Sequence, residues 1–348
     1  MKRGAAWRYL APGLFVLALF VVTVCRDRPD PTPEDDVWSF SGPTMGTQYN
    51  VKVVADELDD DAKLAIHTTI RSVVDRVNSA MSTYDPGSEV SVFNREEVGT
   101  LAVSEPVASV VEAALEVAEA SGGAFDVTVG PLVDAWGFGA TGPESLPTDQ
   151  EIRTLRQRVG WRKLSVDLEA GTISKAVSGL RIDLSAIAKG YAVDQVLLEL
   201  NDVGYEDVMV EIGGEVRTSG KNPQQTVWQI GVERPDSIAR RAGQVIALNE
   251  GALATSGDYR NFYEIDGRRI SHTIDPRSGR PIEHRLASVS VVAPTCMMAD
   301  AWATALNVLG PDGGLQTAEA QGLAAYFIVR EEDGFRELRS SEWKRIFG

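Results

Sequence analysis

Residues 183–192 read DLSAIAKGYA and join a short apolar segment, residues 180–184, to a run of small residues. The apolar segment predicts a β-strand that ends near Asp183, and the small residues predict the start of a helix that carries Lys189. At such a junction a carboxylate, unpaired backbone N–H groups and an ammonium lie close together. This combination suits a nucleotide with a pyrophosphate, and the segment is therefore predicted to bind one.

The charge of the chain limits its partners. The 348 residues carry a formal net charge of -16, and residues 1–25 contain Lys2, Arg3 and Arg8 but no acid, so the rest of the chain is still more acidic. Nucleic-acid binding relies on basic surface, which argues against DNA or RNA as a partner. An acidic protein can still bind an anionic nucleotide through local basic groups, helix N-termini or a divalent metal.

The N-terminus has the pattern of an export signal or membrane anchor. A basic start precedes an apolar run over residues 10–24 that ends at Cys25. Residues 9–25 number 17, the short limit for crossing a bilayer, so a cleaved signal and a retained anchor both remain open. The positive flank predicts that the body lies on the extracytoplasmic side.

Cys25 leaves a second question about this N-terminus open. A lipoprotein signal is cut before a cysteine that becomes acylated, but Val24 stands where that peptidase prefers a small residue. Lipidation and a simple uncleaved anchor are both compatible with this sequence. Residues 26–36 contain three prolines among alternating charges and predict a flexible linker. Residues 37–348 show no internal boundary and are predicted to form one domain.

Helical and strand patterns interleave through this body. Two-residue alternation predicts a strand at 47–54, helical spacing predicts a helix at 59–80, and Ser104 begins another that runs to Ala120. A capping box at 148–151 predicts a further helix. Later strands are predicted at 163–166, 180–184, 208–212, 228–232, 244–248, 269–274 and 287–292, followed by helices at 297–309 and 312–321 and a closing strand pair. The fold class is α+β, with mixed or antiparallel sheets and helices on one side.

Asp300 and Thr304 are candidate metal ligands. They are four residues apart and therefore lie on one face of a predicted helix. Both offer hard oxygen atoms, and magnesium needs few protein ligands because it keeps water and substrate phosphates in its octahedron. The alternative is that Thr304 packs in the core and Asp300 only stabilises a helix start.

Three further segments contain residues suited to ligand chemistry. His272 precedes an Asp-Pro turn, where it can act as a base near neutral pH or hydrogen-bond the turn. Residues 254–258, ATSGD, predict a loop that phosphates can approach closely. Residues 121–131, SGGAFDVTVGP, place paired glycines before an aromatic and an acid, which suits a planar ring. Met45 and an exposed Tyr84 are available to pack against it.

Seven ordered motifs between Gly42 and Leu309 closely resemble those of the ApbE family of FAD:protein FMN transferases. They are M-G-T at 45–47, M-S-x-Y at 81–84, G-A-F-D-x-x-x-G-P at 123–131, D-L-S-x-x-A-K-G-Y at 183–191, E-x-G-G-E at 211–215, S-H-x-I-D-P-x-x-G at 271–279 and A-D-x-x-x-T at 299–304. The resemblance implies a body related to duplicated T-fold units, with FAD in a deep cleft.

The resemblance also implies a set of site residues. The residues expected to contact FAD are Met45, Tyr84, Ala124, Phe125, Asp126, Asp183, Lys189 and Ile274. Magnesium is expected at Asp300, Thr304 and the carbonyl oxygen of Ala186. Phosphoryl transfer depends mainly on positioning and charge neutralisation, which Lys189 and the metal supply, while His272 is predicted to take the proton from the acceptor.

The implied activity is transfer of FMN from FAD to a threonine of an exported flavoprotein subunit, such as one in a redox pump or electron-transfer complex, with release of AMP. With the N-terminal pattern, this implies anchoring at the bacterial inner membrane. Hydrolysis of FAD to FMN and AMP needs the same metal site and remains an alternative. A flavin-binding lipoprotein without turnover and a scaffold that binds only proteins are two others, although simple flavin binding has no need for Asp300 and Thr304.

Overall fold

The structure is a computed structural model that describes residues 36–139, 146–233, 235, 242–257, 262–265 and 268–348. The predicted signal or anchor at 1–25 and the predicted linker up to residue 35 lie outside the described residues. Within the described part of the chain, no helix is both long and apolar enough to cross a membrane.

Eight helices and seventeen strands are assigned in the described residues. The helices are α1 (Asp60–Met81), α2 (Glu89–Arg95), α3 (Glu105–Ala120), α4 (Gly130–Ala135), α5 (Asp149–Arg156), α6 (Ala188–Asp202), α7 (Cys296–Gln321) and α8 (Ser341–Phe347), with a 3-10 turn at Trp161–Lys163. The strands are β1 (Val37–Thr44), β2 (Thr47–Val54), β3 (Gly99–Ala102), β4 (Leu164–Asp167), β5 (Thr172–Lys175), β6 (Val208–Ile212), β7 (Glu215–Ser219), β8 (Trp228–Glu233), β9 (Ala242–Leu248), β10 (Ala252–Gly257), β11 (Phe262–Ile265), β12 (Arg268–Ser271), β13 (Ile274–Asp275), β14 (Arg280–Pro281), β15 (Leu286–Ala293), β16 (Ala324–Glu331) and β17 (Gly334–Arg339).

An eight-stranded sheet forms the centre of the fold. Its order is β1-β2-β6-β7-β10-β15-β16-β17, and every neighbouring pair is antiparallel. The alternation that predicted β2 is real, since Tyr49, Val51 and Val53 are buried between exposed residues. A three-stranded sheet, β3-β5-β4, and three hairpins lie outside this sheet.

The large sheet has a different cover on each face. Helices α1, α6 and α7 pack over one face and enclose the main core. The β8–β9 hairpin and α8 cover the other face, where Trp228 and Trp343 join a second core. Trp343 stacks on Tyr326 with ring centroids 5.3 Å apart. The sequence did not predict α8, so the expectation of helices on one side only is too simple.

Helix α7 bends where two helices were predicted. Gly310 has a φ of 74° and Pro311 follows it. Pro311 has no N–H to donate to the carbonyl oxygen of Asn307, and His284 Nε2 donates to that oxygen instead, at 2.7 Å. A Cβ on Gly310 would lie 2.8 Å from the His284 ring. The break at Gly310 therefore divides α7 into two segments, and the first of them, which ends before Gly310, faces the centre of the protein.

The predicted strand at 180–184 is wrong. In the described residues, its only strand-like backbone pairing is an isolated parallel bridge between Arg181 and Val129. The side-chain amide of Asn94 bonds both backbone groups of Ile182, at 2.7 and 2.8 Å, and Asp183 N donates to the carbonyl oxygen of Val127 at 2.7 Å. These partners satisfy an extended backbone without a neighbouring strand.

Two other local predictions also need correction. The predicted loop at 254–258 is a strand as far as Gly257, and residue 258 lies outside the described residues. The predicted strand at 269–274 is interrupted, because β12 ends at Ser271 and β13 begins at Ile274. His272 therefore lies in a break between two strands.

Candidate functional site

The site begins where α6 and α7 cross at close range. A Cβ on Gly190 would lie 2.3 Å from the carbonyl oxygen of Cys296, so only glycine permits this approach. Asp194, one turn further along α6, accepts hydrogen bonds from Cys296 N at 2.8 Å and Met297 N at 2.9 Å. It thereby satisfies two donors at the start of α7 and also pairs with Arg217. This crossing places the start of α6 against the first turns of α7.

Lys189 and Asp300 meet at this crossing. The Lys189 ammonium lies 3.3 Å from Asp300 Oδ2 and 3.3 Å from Glu215 Oε1. Gly190 N donates to Asp300 Oδ2 at 3.1 Å, so one N–H that was expected to face a ligand serves this carboxylate. Burial alone would lower the pKa of Lys189, but the two carboxylates outweigh it and raise that pKa above its ordinary value. The ammonium stays charged at any physiological pH.

Glu215 is the main residue of this centre for which the sequence suggested no role. It follows the Gly213-Gly214 turn between β6 and β7, and only 3% of it is exposed. Its Oε2 atom is buried without a hydrogen-bond partner among the described residues. Burial raises the pKa of Glu215 to about 7, against the opposing effect of Lys189. The E-x-G-G-E motif could have indicated this role for Glu215, because an acid directly after a tight glycine turn is held in a fixed position.

A second part of the site consists of loops that present flat or apolar side chains. Met45 and Gly46 form the two-residue turn between β1 and β2, and both have positive φ, 46° and 72°. Such a turn suits the twist of a hairpin. Tyr84 is 64% exposed, as predicted, and its hydroxyl donates to the carbonyl oxygen of Phe138 at 3.2 Å.

The two acids predicted to contact FAD, Asp126 and Asp183, have local hydrogen-bond partners. Asp126 is buried and accepts bonds from Thr128 N at 2.8 Å, Thr128 Oγ1 at 2.6 Å and Trp161 N at 2.8 Å. Burial raises its pKa against these three bonds. Asp183 is half-buried and accepts one bond from Ser185 N at 2.9 Å. Asp126 therefore orders its own loop, whereas Asp183 keeps an oxygen available for a ligand.

The segment that contains His272 is linked to α7 through its neighbour Thr273. Asn307 on α7 is fully buried, and its Nδ2 lies 3.4 Å from Thr273 Oγ1 and 3.1 Å from Ser256 Oγ on β10. The His272 ring lies edge-on to Phe138, with centroids 6.3 Å apart. One buried amide thus links the histidine segment, β10 and the helix that carries Thr304.

All these parts surround one cleft with a volume of about 1630 Å³. Its lining includes every site residue predicted from the sequence: Met45, Tyr84, Ala124, Phe125, Asp126, Asp183, Ala186, Lys189, His272, Ile274, Asp300 and Thr304. These residues come from six of the seven motifs. Glu211 and Glu215 of the remaining motif, E-x-G-G-E, line the same cleft, so all seven motifs meet there. The role of each residue stays a prediction.

The cleft is acidic for a nucleotide site. Among its described lining residues there is one lysine, Lys189, and no arginine. The lining carboxylates are Asp85, Asp126, Asp183, Glu211, Glu215 and Asp300. The described lining groups therefore leave most of the charge of a pyrophosphate uncompensated, and a divalent cation can offset it.

Comparison with known proteins gives the family. The sequence model described as "ApbE family" matches residues 45–327. The chain belongs to the ApbE family. An ApbE-family relative from Haemophilus influenzae, named FAD:protein FMN transferase, is 43% identical over 319 residues, which cover 90% of this chain and 92% of the relative. A relative of the same name from Vibrio cholerae is 44% identical, covering 88% and 91%.

Solved structures of the ApbE family share the fold. The flavin transferase ApbE from Vibrio cholerae superposes with a TM-score of 0.81 at 41% identity, over 89% of this chain and 99% of that one. The apo form of the Pseudomonas stutzeri flavinyl transferase ApbE gives 0.82 at 40% identity, over 90% and 98%. These similarities and the eight-stranded sheet with its flanking helices confirm the predicted α+β class.

Proposed function

We propose that this protein transfers the FMN part of FAD to the hydroxyl group of a threonine in an acceptor flavoprotein and releases AMP. The observation that carries the proposal is the single cleft lined by every predicted site residue. Membership of the ApbE family supports it, because the relatives that match nearly the whole chain are named FAD:protein FMN transferases. The enzyme is a transferase with FAD as its substrate.

The proposed reaction is a phosphoryl transfer. The threonine oxygen bonds to the phosphorus of the FMN half, the bond from that phosphorus to the bridging oxygen breaks, and AMP leaves with that oxygen. His272 takes the threonine proton, a role that suits a half-buried imidazole at the cleft wall. Asp183, which precedes α6, and Lys189 on its first turn orient the substrate, and Met45 and Tyr84 pack against its rings.

The donor groups present suit magnesium. Asp300 and Thr304 lie one turn apart on α7 and line the cleft together with Ala186. They offer a carboxylate, a hydroxyl and a carbonyl oxygen, and the unpaired Oε2 of Glu215 adds negative charge nearby. Bound magnesium would neutralise the pyrophosphate and stabilise the departing AMP. Lys189 holds Asp300 in place and compensates part of the acidic charge.

The location follows from the N-terminal sequence. We propose that residues 1–25 export and anchor the body on the extracytoplasmic side of the bacterial inner membrane, with or without lipidation of Cys25. Its acceptors are then flavoprotein subunits exposed on that side. Fusion of residues 1–36 to alkaline phosphatase, which is active only outside the cytoplasm, tests this. An inactive cytoplasmic fusion would contradict it.

Mass spectrometry of a candidate acceptor tests the activity. The full-length chain in detergent is incubated with FAD, magnesium and the soluble domain of an exported flavoprotein subunit, with and without EDTA. We expect a metal-dependent mass gain of one FMN on threonine, matched by released AMP. His272→Ala should reduce the gain by about 100-fold or more, as expected for loss of a general base. Free FMN and AMP with an unmodified acceptor would favour FAD hydrolysis, and intact FAD would favour a flavin-binding protein.

A further inference from the structure

Strand β10 extends beyond its neighbour in the central sheet. On one side it pairs with β15 along its whole length, from Ala252 to Gly257. On the other side it pairs with β7 only at Ala252 and Leu253, because β7 begins at Glu215 after the glycine turn. In the part of the chain that the structure describes, no strand pairs with residues 254–257 on that side. Within the described residues, the central sheet thus contains a free inner edge four residues long.

The ladder shows which backbone groups face this edge. Thr218 N donates to the carbonyl oxygen of Gly251, so the backbone groups of Gly251 point toward β7. Along an antiparallel strand this direction alternates, which directs the backbone groups of Leu253, Thr255 and Gly257 to the same side. Those of Ala254 and Ser256 point to β15. Thr255 and Gly257 therefore present two N–H groups and two carbonyl oxygens to the cleft.

This edge lies beside the predicted catalytic groups. Thr255, Ser256 and Gly257 all line the cleft. The Ser256 hydroxyl shares the Asn307 amide with Thr273, the residue that follows His272. Thr304 precedes Asn307 by three residues on α7, an axial rise of about 4.5 Å. A chain placed along the free edge would therefore run close to both the predicted base and the predicted metal ligands.

The residues named above as FAD contacts lie on other elements than this edge, although the sequence pattern at 254–258 had suggested a loop that phosphates approach. They lie on the turn after β1, the segment after α1, the loop at 124–126, the segment that leads into α6 and its first turn, together with Ile274 on β13. None belongs to β7 or β10. The acceptor must bring its threonine hydroxyl to the same metal while FAD is bound, so it needs a separate path into the cleft.

We propose that the acceptor binds as an extended strand on the free edge of β10, pairing with the backbone of Thr255 and Gly257. The proposal rests on the transferase function above. A segment of about four residues, ~13 Å long, would fill the edge and continue the sheet where β7 ends. Such pairing takes its affinity from the main chain and places alternate side chains on one face, which can direct the threonine toward His272.

Residue-resolved amide exchange provides the first test. The full-length chain with magnesium is compared in three states: without FAD, with FAD, and with FAD and an acceptor that gained FMN in the assay above. The target threonine of this acceptor is replaced by valine to prevent transfer. We expect the N–H groups of Thr255 and Gly257 to exchange at least about tenfold more slowly with acceptor present. Those of Ala254 and Ser256, already paired with β15, serve as internal controls. Protection by FAD alone, or no protection by acceptor, would overturn the proposal.

A matched pair of variants provides the second test. Thr255→Pro removes the N–H that faces the edge and puts a ring in its place, while Thr255→Val keeps that N–H and loses only the hydroxyl, which bonds Ser290 at 2.7 Å. We expect Thr255→Pro to raise the KM for the acceptor by about tenfold or more, and by at least about fivefold more than Thr255→Val does. Retention of the wild-type KM in a folded Thr255→Pro protein would refute strand pairing. Absence of FMN transfer by the wild type would instead refute the transferase function.

Discussion

At the scale of single residues, the site depends on how one ammonium is shared between two carboxylates. Lys189 lies 3.3 Å from both Asp300 and Glu215. Asp300 is also the proposed magnesium ligand, so a bound cation competes with Lys189 for it. Glu215 gives the ammonium a second partner, which lowers the cost of releasing Asp300. Glu215, which is not a proposed ligand, would thus favour binding of the proposed magnesium.

We predict that Glu215→Gln weakens magnesium binding by about tenfold at pH 8. Without Glu215, the ammonium interacts with Asp300 alone and competes more strongly with the cation. Tenfold corresponds to ~1.4 kcal/mol, part of the ~4 kcal/mol of attraction between unit charges 4 Å apart at an effective dielectric constant of about 20. Titration calorimetry of the FAD-free protein measures the affinity. At pH 8 Glu215 is mostly ionised, because its pKa is about 7.

Glu211→Gln is the matched control for this variant. Glu211 lines the same cleft but bonds Asn50 and Gly214 instead of Lys189. Its replacement removes the same charge, so a smaller loss of affinity is expected. Equal losses in the two variants would show that only the total charge of the cleft matters. Unchanged affinity in Glu215→Gln would contradict the competition between Lys189 and the cation.

At the scale of elements, the sequence predicted what periodicity and end signals determine. The helix predicted at 59–80 is α1, and the capping box at Thr148 is present at the start of α5. The run at 180–184 reads as a strand because Leu180, Ile182 and Leu184 alternate along it and are buried. Its backbone partners, however, are the Asn94 amide and the Val127 carbonyl. Partners that are distant in sequence leave no periodic signal.

The same reasoning explains which site residues could be predicted. Asp300 and Thr304 share a helix face, so their spacing alone placed them together. Glu215 and Asn307 gain their roles only from the crossing of α6 and α7 and from the end of β10, which join segments far apart in the chain. Small residues at 254–258 suggested a loop, but the residues as far as Gly257 pair with β15 and pack against α7. The family motifs supplied the proposed roles that single segments could not.

At the scale of the whole molecule, the charge sets the conditions for FAD binding. The chain has a net charge of -16, and six carboxylates face one lysine among the described residues of the cleft. FAD brings two further negative charges in its pyrophosphate. The described lining of the cleft would therefore repel its phosphates unless a divalent cation is present, in contrast to the usual nucleotide site lined by basic groups.

This repulsion gives a prediction with a definite sign. In EDTA we expect FAD to bind at least about tenfold more weakly than with magnesium. We also expect the metal-free affinity for FAD to increase when potassium chloride is raised from about 0.05 M to about 0.5 M. Over roughly this range the Debye length falls from above 10 Å to a few ångströms, which screens the repulsion. Riboflavin, which has no phosphate, should show neither effect. Quenching of flavin fluorescence on titration measures both ligands. Tight metal-free binding of FAD that weakens with salt would mean that basic groups hold the pyrophosphate, and the cation would then lose its proposed role in binding.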